Sequence, residues 1–287
     1  MTDDPFVTHR RLLFTVAYEM LGSAADAEDV LQESWLRWRD VDPGEVREPR
    51  AYLVRVVTRQ ALNRLRSVSR TRADYYGEWL PEPLLTAPDV AEDVELAESV
   101  SIAMLTVLET LAPTERAVFV LREVFDLSYD EIAEAVGKSL PAVRQIAKRA
   151  RDHVAARRPR VQVTPTEQEA VVERFLAALR TGALQDLLDV MSPDVVLVAD
   201  GGGVVKALGK PVRGAVAVAK LLARAPLVGS LGTAVAWFNG SPGARIEIDG
   251  EPAAASLVVE GGRITRLYVV RNPEKLGWID EPARLAR

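Results

Sequence analysis

The 287-residue chain contains no cysteine and two histidines, His9 and His153. The first absence excludes disulfides, thiolate metal sites and cysteine nucleophiles. The second leaves everything after His153 without an imidazole for acid–base chemistry or metal ligation. No apolar run approaches the roughly 18 residues of a membrane span. The opening MTDDPFVTHRR lacks the layout of a secretory signal. These features point to a cytoplasmic protein with no membrane partner.

A surplus of positive charge is also missing. The net charge is −5 at pH 7, which by itself argues against nucleic acid, but the distribution says more than the sum. From Arg47 to Arg72 the chain is arginine-rich with Glu48 as its lone acid, and from Lys138 to Arg160 basic residues face Asp152 alone. Between them, Asp74 to Glu98 holds acids and no base. Two basic blocks are separated by an acidic tether.

The length suits two or three domains. Ala27, Val30, Leu31, Ser34, Trp35 and Trp38 recur at helical spacing. After a Pro43-Gly44 break, Leu53, Val57, Ala61 and Leu65 form a second stripe in a helix opened by Pro49. Arg55, Arg59, Asn63 and Arg66 line another face of that helix. The pattern divides the chain into a helical domain over 1–70, a linker over 71–98, a second helical domain over 99–158, a short connector over 159–166 and a last domain over 167–287. That last part mixes helices with strand-like runs punctuated by Asn239-Gly240, Asp249-Gly250 and Gly261-Gly262, which are hairpin turn signals. It reads as α+β, a curved sheet backed by helices.

SYDEIAEAVGKSLPAVRQIAKRAR carries the sharpest local signal. Ser128 and Glu131 form a capping box, Gly137 supplies a left-handed turn, and Ser139 can cap the next helix with Pro141 in its first turn. Val143, Ala147, Ala150 and Val154 face inward and leave Arg144, Gln145, Lys148 and Arg149 outside. This is the pattern of a helix-turn-helix offering donors to a DNA major groove; the plainer alternative is a helical hairpin with a solvated basic face.

Together with DAEDVLQESWLRWRD and EPRAYLVRVVTRQALNRLRS, this segment resembles the bacterial sigma factors of the extracytoplasmic-function class. WLPEP at Trp79–Pro83, the DGGG loop at Asp200–Gly203 and NPEKL at Asn272–Leu276 narrow the resemblance to the subgroup with a SnoaL-like C-terminal domain. The family's usual lysine after the third glycine is replaced here by Val204, with Lys206 two residues on. The resemblance implies two all-α domains, the second with the helix-turn-helix, followed by a cone-shaped α+β domain. It implies core RNA polymerase and promoter DNA as partners, no separate anti-sigma factor and no enzymatic activity. Asp26, Asp29, Gln32, Glu33 and Trp35 would grip the core polymerase. Arg50, Arg55, Arg59, Asn63 and Arg66 would read and melt the minus-ten element. Arg144, Gln145, Lys148 and Arg149 would read the minus-thirty-five element. Trp79, Leu80, Pro81, Glu82 and Pro83 mark a linker whose acids would mimic nucleic acid in the polymerase channel.

DGGGVVKALGK lacks the GK[ST] of a phosphate loop and leads into a strand-like run. Asp200 stands beside a turn, where aspartate usually caps backbone donors. The sequence therefore predicts no catalytic residue, cofactor or metal. The glycines suit a close backbone approach, and the resemblance implies an interdomain joint made by Asp200, Gly201, Gly202 and Gly203 with Asn272, Pro273, Lys275 and Leu276, Asp200 accepting from arginines of the DNA-reading region. On this reading the C-terminal domain packs between the two helical domains and the tail locks one arrangement. The alternative is a one-component regulator whose C-terminal domain binds a small ligand.

Overall fold

The computed structural model describes residues 4–158, 163–224, 232–248 and 250–287. Residues 159–162 of the expected connector and Asp249 of one expected turn lie outside the described residues. The chain divides into two units: one takes the described parts of Met1–Ala73, Met104–Arg158 and Arg284–Arg287, the other those of Asp74–Ala103 and Pro159–Ala283.

The first unit begins with helices α1 (Pro5–Leu21), α2 (Ala24–Trp38) and α3 (Pro49–Ala73). Gly22, at φ 65°, closes α1 by donating to the Tyr18 carbonyl, and Ser23 caps α2 by accepting from the Asp26 amide. That left-handed residue and cap fold α2 back onto α1. Ala27, Val30, Leu31, Ser34 and Trp38 are buried as the spacing predicts, whereas Trp35 is 39% exposed. Leu53, Val57, Ala61 and Leu65 bury the inner stripe of α3.

The unit continues through the later part of α5 (Ile102–Leu108), α6 (Pro113–Phe119), a π-helical turn at Val120–Val124, α7 (Tyr129–Val136) and α8 (Leu140–Ala155). The Ser128–Glu131 capping box opens α7, and Gly137, at φ 66°, turns the chain into α8. Ser139 makes no side-chain capping bond there; Pro141 occupies the first turn instead. Helix α3 packs against both α6 and α7. The two helical regions therefore touch directly, where the sequence led us to expect an intervening layer.

The second unit carries α4 (Val94–Val100), α9 (Pro165–Thr181), α10 (Leu184–Val190), α11 (Ala215–Arg224) and six strands: β1 (Met191–Asp200), β2 (Val212–Arg213), β3 (Thr233–Phe238), β4 (Ser241–Ile248), β5 (Glu251–Glu260) and β6 (Arg263–Val270). The sheet order is β2-β1-β6-β5-β4-β3. Strands β1 and β6 run parallel, placing Asp200 opposite Val270; the other pairs are antiparallel. Asn239 and Gly240 both take positive φ, 55° and 72°, as a tight hairpin requires. After the glycine loop the expected strand is limited to the two residues of β2.

The sheet is covered on both faces. Leu197, Ile246, Leu257 and Leu267 pack under Val172 and Phe175 of α9, Leu187 of α10 and Val218 of α11. On the other face Phe238, Ala254, Val258, Tyr268 and Val270 pack with Leu80, Ile102, Leu276 and Ile279. The acidic stretch read as a tether packs Leu80 on this face of the sheet, and burying a leucine such as Leu80 or Leu84 contributes about 1.5–3 kcal/mol.

Candidate functional site

Asp200 ends β1 and is wholly buried. One of its carboxylate oxygens accepts from the Tyr75 hydroxyl at 2.6 Å and the Gly202 amide at 3.0 Å. The other accepts from the Leu80 amide at 2.9 Å and the Lys275 ammonium at 2.7 Å. Lys275 also donates to the Leu80 carbonyl at 2.6 Å and lies over the Tyr75 and Trp79 rings, 4.7 and 4.0 Å from their centroids. Asn272 donates to the Tyr75 oxygen at 2.9 Å. A buried carboxylate is tolerable only with such partners. Burial, the hydrogen bond to Asp200 and its charge push the Tyr75 phenol above its ordinary value; the Asn272 bond opposes them.

The three glycines permit this closeness. Gly202 and Gly203 sit at φ 62° and 73°. A Cβ on Gly202 would collide with the Asn272 amide, and one on Gly203 would come within 3.2 Å of Tyr76. Where the sequence led us to expect arginines, the described partners of the Asp200 carboxylate come from its own unit: Tyr75, Leu80, Gly202 and Lys275. Lys275 supplies the cation of this cluster. Leu276 is buried and Pro273 exposed beside this cluster.

Further along, the linker is strapped to the β3–β4 turn. Leu84 donates its amide to the Asn239 side chain at 3.0 Å and accepts from the Asn239 amide at 2.9 Å. Thr86 donates to the Trp237 carbonyl and Leu85 to the Trp278 carbonyl, both at 2.8 Å. Asn239 reaches the Val100 carbonyl at 2.9 Å. Pro81, Glu82 and Pro83 of WLPEP are buried and Trp79 is half-buried. Gly240 has no room for a Cβ because Ala97 lies against it.

In the helical unit, the acidic face of α2 is tied to α3. Arg64 holds Asp26 at 2.6 Å and reaches Asp29 at 3.5 Å, and its pKa is raised chiefly by the Asp26 hydrogen bond. Gln60 donates to Glu33 at 3.3 Å. Gln32, Trp35 and Asp29 border a groove with Phe6, Val7 and Leu31. On α3, Arg50, Arg59, Asn63 and Arg66 are exposed and Arg55 is half-buried. On α8, Arg144, Gln145, Lys148 and Arg149 are all exposed, opposite the buried Val143, Ala147, Ala150 and Val154. Arg149 pairs with Glu115 at 3.3 Å. No group of histidines, aspartates and glutamates among the described residues could hold a metal ion, and no described helix is long and apolar enough to cross a membrane.

Sequence reasoning missed Tyr75 and Asn239. Tyr75 and Asn239 had one usable signal each: an aromatic just before WLPEP, and an asparagine in a turn whose side chain had no local work.

Comparison with known proteins agrees with this layout. Residues 6–71 match the family model for sigma-70 region 2 and residues 101–154 that for sigma-70 region 4. The chain is similar to the ECF RNA polymerase sigma factor SigJ of Mycobacterium tuberculosis, at 35% identity across 94% of this chain and 91% of that protein. The probable ECF RNA polymerase sigma factor SigI of the same organism is 31% identical across 93% and 92%. The crystal structure of M. tuberculosis SigJ superimposes with a TM-score of 0.74 at 33% identity, covering 94% of this chain and 96% of that one.

Proposed function

The chain belongs to the extracytoplasmic-function RNA polymerase sigma factors, and from that membership we propose a factor governed in cis by its own C-terminal domain through the linker. Sigma factors bind core RNA polymerase and direct initiation at promoters; they are not enzymes. The exposed donors of α8 suit the major groove of the minus-thirty-five element. The arginines of α3 suit the backbone and the unpaired bases of the minus-ten element. The groove beside Trp35, with Asp26, Asp29, Gln32 and Glu33, suits the core polymerase.

One observation carries the regulatory part. Asp200, Asn272 and Lys275 close around Tyr75 and Leu80, so the linker is committed to the sheet. A linker held there cannot thread the polymerase channel, and its release would be the switch. The regulator is then built in, with no separate anti-sigma protein and a cytoplasmic site of action. In vitro transcription with purified core polymerase tests this, comparing the whole chain, a chain ending after Arg158, and D200N. Altered promoter output in both variants is expected; output equal to that of the whole chain in both overturns the reading. An operator-binding regulator would bind its DNA specifically without polymerase, which the same preparations test.

A further inference from the structure

Three arginines around the helix-turn-helix converge on one phenol. Tyr129 opens α7, next to its cap Ser128, and is half-buried. The Arg122 and Arg144 guanidiniums lie over its ring, 5.1 and 5.8 Å from the centroid. Arg151, further along α8, donates to its hydroxyl at 3.3 Å.

The three are not held alike. Arg122 also pairs with Asp126 at 3.0 Å and donates to the Leu127 carbonyl at 2.8 Å. Arg151 also pairs with Glu123 at 3.1 Å. Each of these two has an acid of its own. Arg144 is exposed and, among the described residues, makes no ion pair; the Tyr129 ring is what it meets. Arg149, on the same exposed side of α8, is tied instead to Glu115 at 3.3 Å.

That difference bears on how each side chain can meet DNA. An ion pair engages N–H donors and has to break before those donors reach a base. An aromatic ring attracts the cation through its quadrupole and needs none of the donors. A guanidinium held that way keeps the planar fork that matches a guanine edge in the major groove.

We propose that Tyr129 is a positioning residue for promoter reading: it orders the Arg144 side chain before DNA arrives and leaves its donors open for a guanine of the minus-thirty-five element. The rotamer freedom that a long side chain loses on binding is then largely surrendered in the free protein. Arg122 and Arg151, each anchored by its acid, hold the ring in place. The proposal rests on the minus-thirty-five role of Arg144, and the test separates the two.

Holoenzyme assembled from core polymerase and the whole chain is titrated with promoter duplexes carrying each single-base change in the minus-thirty-five element. R144A should abolish the preference at one base pair. Y129L, which keeps apolar bulk without a ring, should weaken the preference at that same base pair by about two- to fivefold, the worth of an exposed cation–π contact. The other positions and the salt slope should not change. Y129M supplies a second ring-free side chain, so the result does not hang on the stability of one variant. Y129F and Y129W, which keep a ring, should retain the preference. In the R144A background Y129L should cause no further loss.

A preference in Y129L and Y129M equal to that of the unaltered chain overturns the positioning role. So does a loss spread evenly over all positions, or one of equal size with and without Arg144. A loss in Y129F as large as in Y129L overturns the part given to the ring. A salt slope lower by about one in Y129L places the tyrosine at a phosphate and also overturns the proposal. R144A holoenzyme with every preference intact overturns the promoter role of Arg144 instead.

Discussion

The Asp200 carboxylate and the Lys275 ammonium lie 2.7 Å apart, with side chains 0% and 8% accessible. Removing one member of a buried pair leaves the other uncompensated, at a cost of about 3–5 kcal/mol. D200A and K275A should each lower the thermal stability of the C-terminal domain and expose residues 74–103 to protease. Replacing both should cost less than the sum, because no lone charge remains. Differential scanning calorimetry and timed proteolysis of the four proteins check this.

Gly202 meets Asn272 at a backbone conformation that suits glycine. G202A should destabilise the domain by more than about 1 kcal/mol, through strain and collision. G209A is the control: Gly209 has open space around its Cβ direction and no positive φ, so its midpoint should not move. Combining G202A with N272A should recover part of the loss, and denaturant unfolding of the set measures it.

The raised pKa of Tyr75 has a defined sign. Its folded value lies above the ordinary value of about 10, so the protonated phenol is favoured in the folded protein. The resulting stabilisation is complete below about pH 10 and declines as the pH rises through the folded value. Linker release, followed by proteolysis or tryptophan fluorescence, should therefore be flat across neutral pH and rise in alkali. Y75F should flatten the alkaline rise.

Trp35 and Trp38 stand one helical turn apart and should behave oppositely. Trp38 is buried and its indole donates to Asp4 at 2.8 Å, so W38A should cost about 3–5 kcal/mol of stability. Trp35 is partly exposed, so W35A should leave the melting temperature almost unchanged and weaken core-polymerase binding by roughly tenfold or more, as an exposed aromatic anchor does. Calorimetry and a polymerase-binding titration separate the two.

On α8, R144A and Q145A should reduce initiation by about 5- to 150-fold at matched promoters, the range for a lost base contact of about 1–3 kcal/mol. K148A should weaken binding evenly across sequences and reduce the salt slope by about one. Promoter-bound fractions at several salt concentrations distinguish these outcomes.

The helix-turn-helix was readable because its signals are local. Ser128, Glu131 and Gly137 act within one or two turns, and the buried stripe of α8 repeats with the helical period. The glycine loop showed that backbone must come close to something, without saying to what. The hydrogen bonds that define the site join Asp200 to residues 125, 120 and 75 positions away, and no local pattern encodes pairings of that span. Composition misled over residues 71–98: prolines and acids suggested a tether, yet Leu80, Leu84 and Leu96 are buried. Leu80, with Leu85 packed beside it, joins the hydrophobic cluster on one face of the sheet, and such buried positions outweighed the polar majority.

Parallel pairing of β1 with β6 sets Asp200 beside Val270, so DGGG and NPEKL leave the same end of neighbouring rails despite their distance in sequence. Side chains alternate along β1: Leu197 points to the helices, Val198 and Asp200 to the opposite side. The irregular register between Met191 and Val196 gives that half of the strand room to absorb a length change. The half from Val196 to Asp200 has none, since sliding it by a single residue would turn the carboxylate inward among aliphatic side chains and leave Lys275 facing a methyl group. Insertions and deletions should accordingly be found upstream of Val196 in working versions of this domain, and between Val196 and Asp200 they should abolish the Asp200–Lys275 pairing.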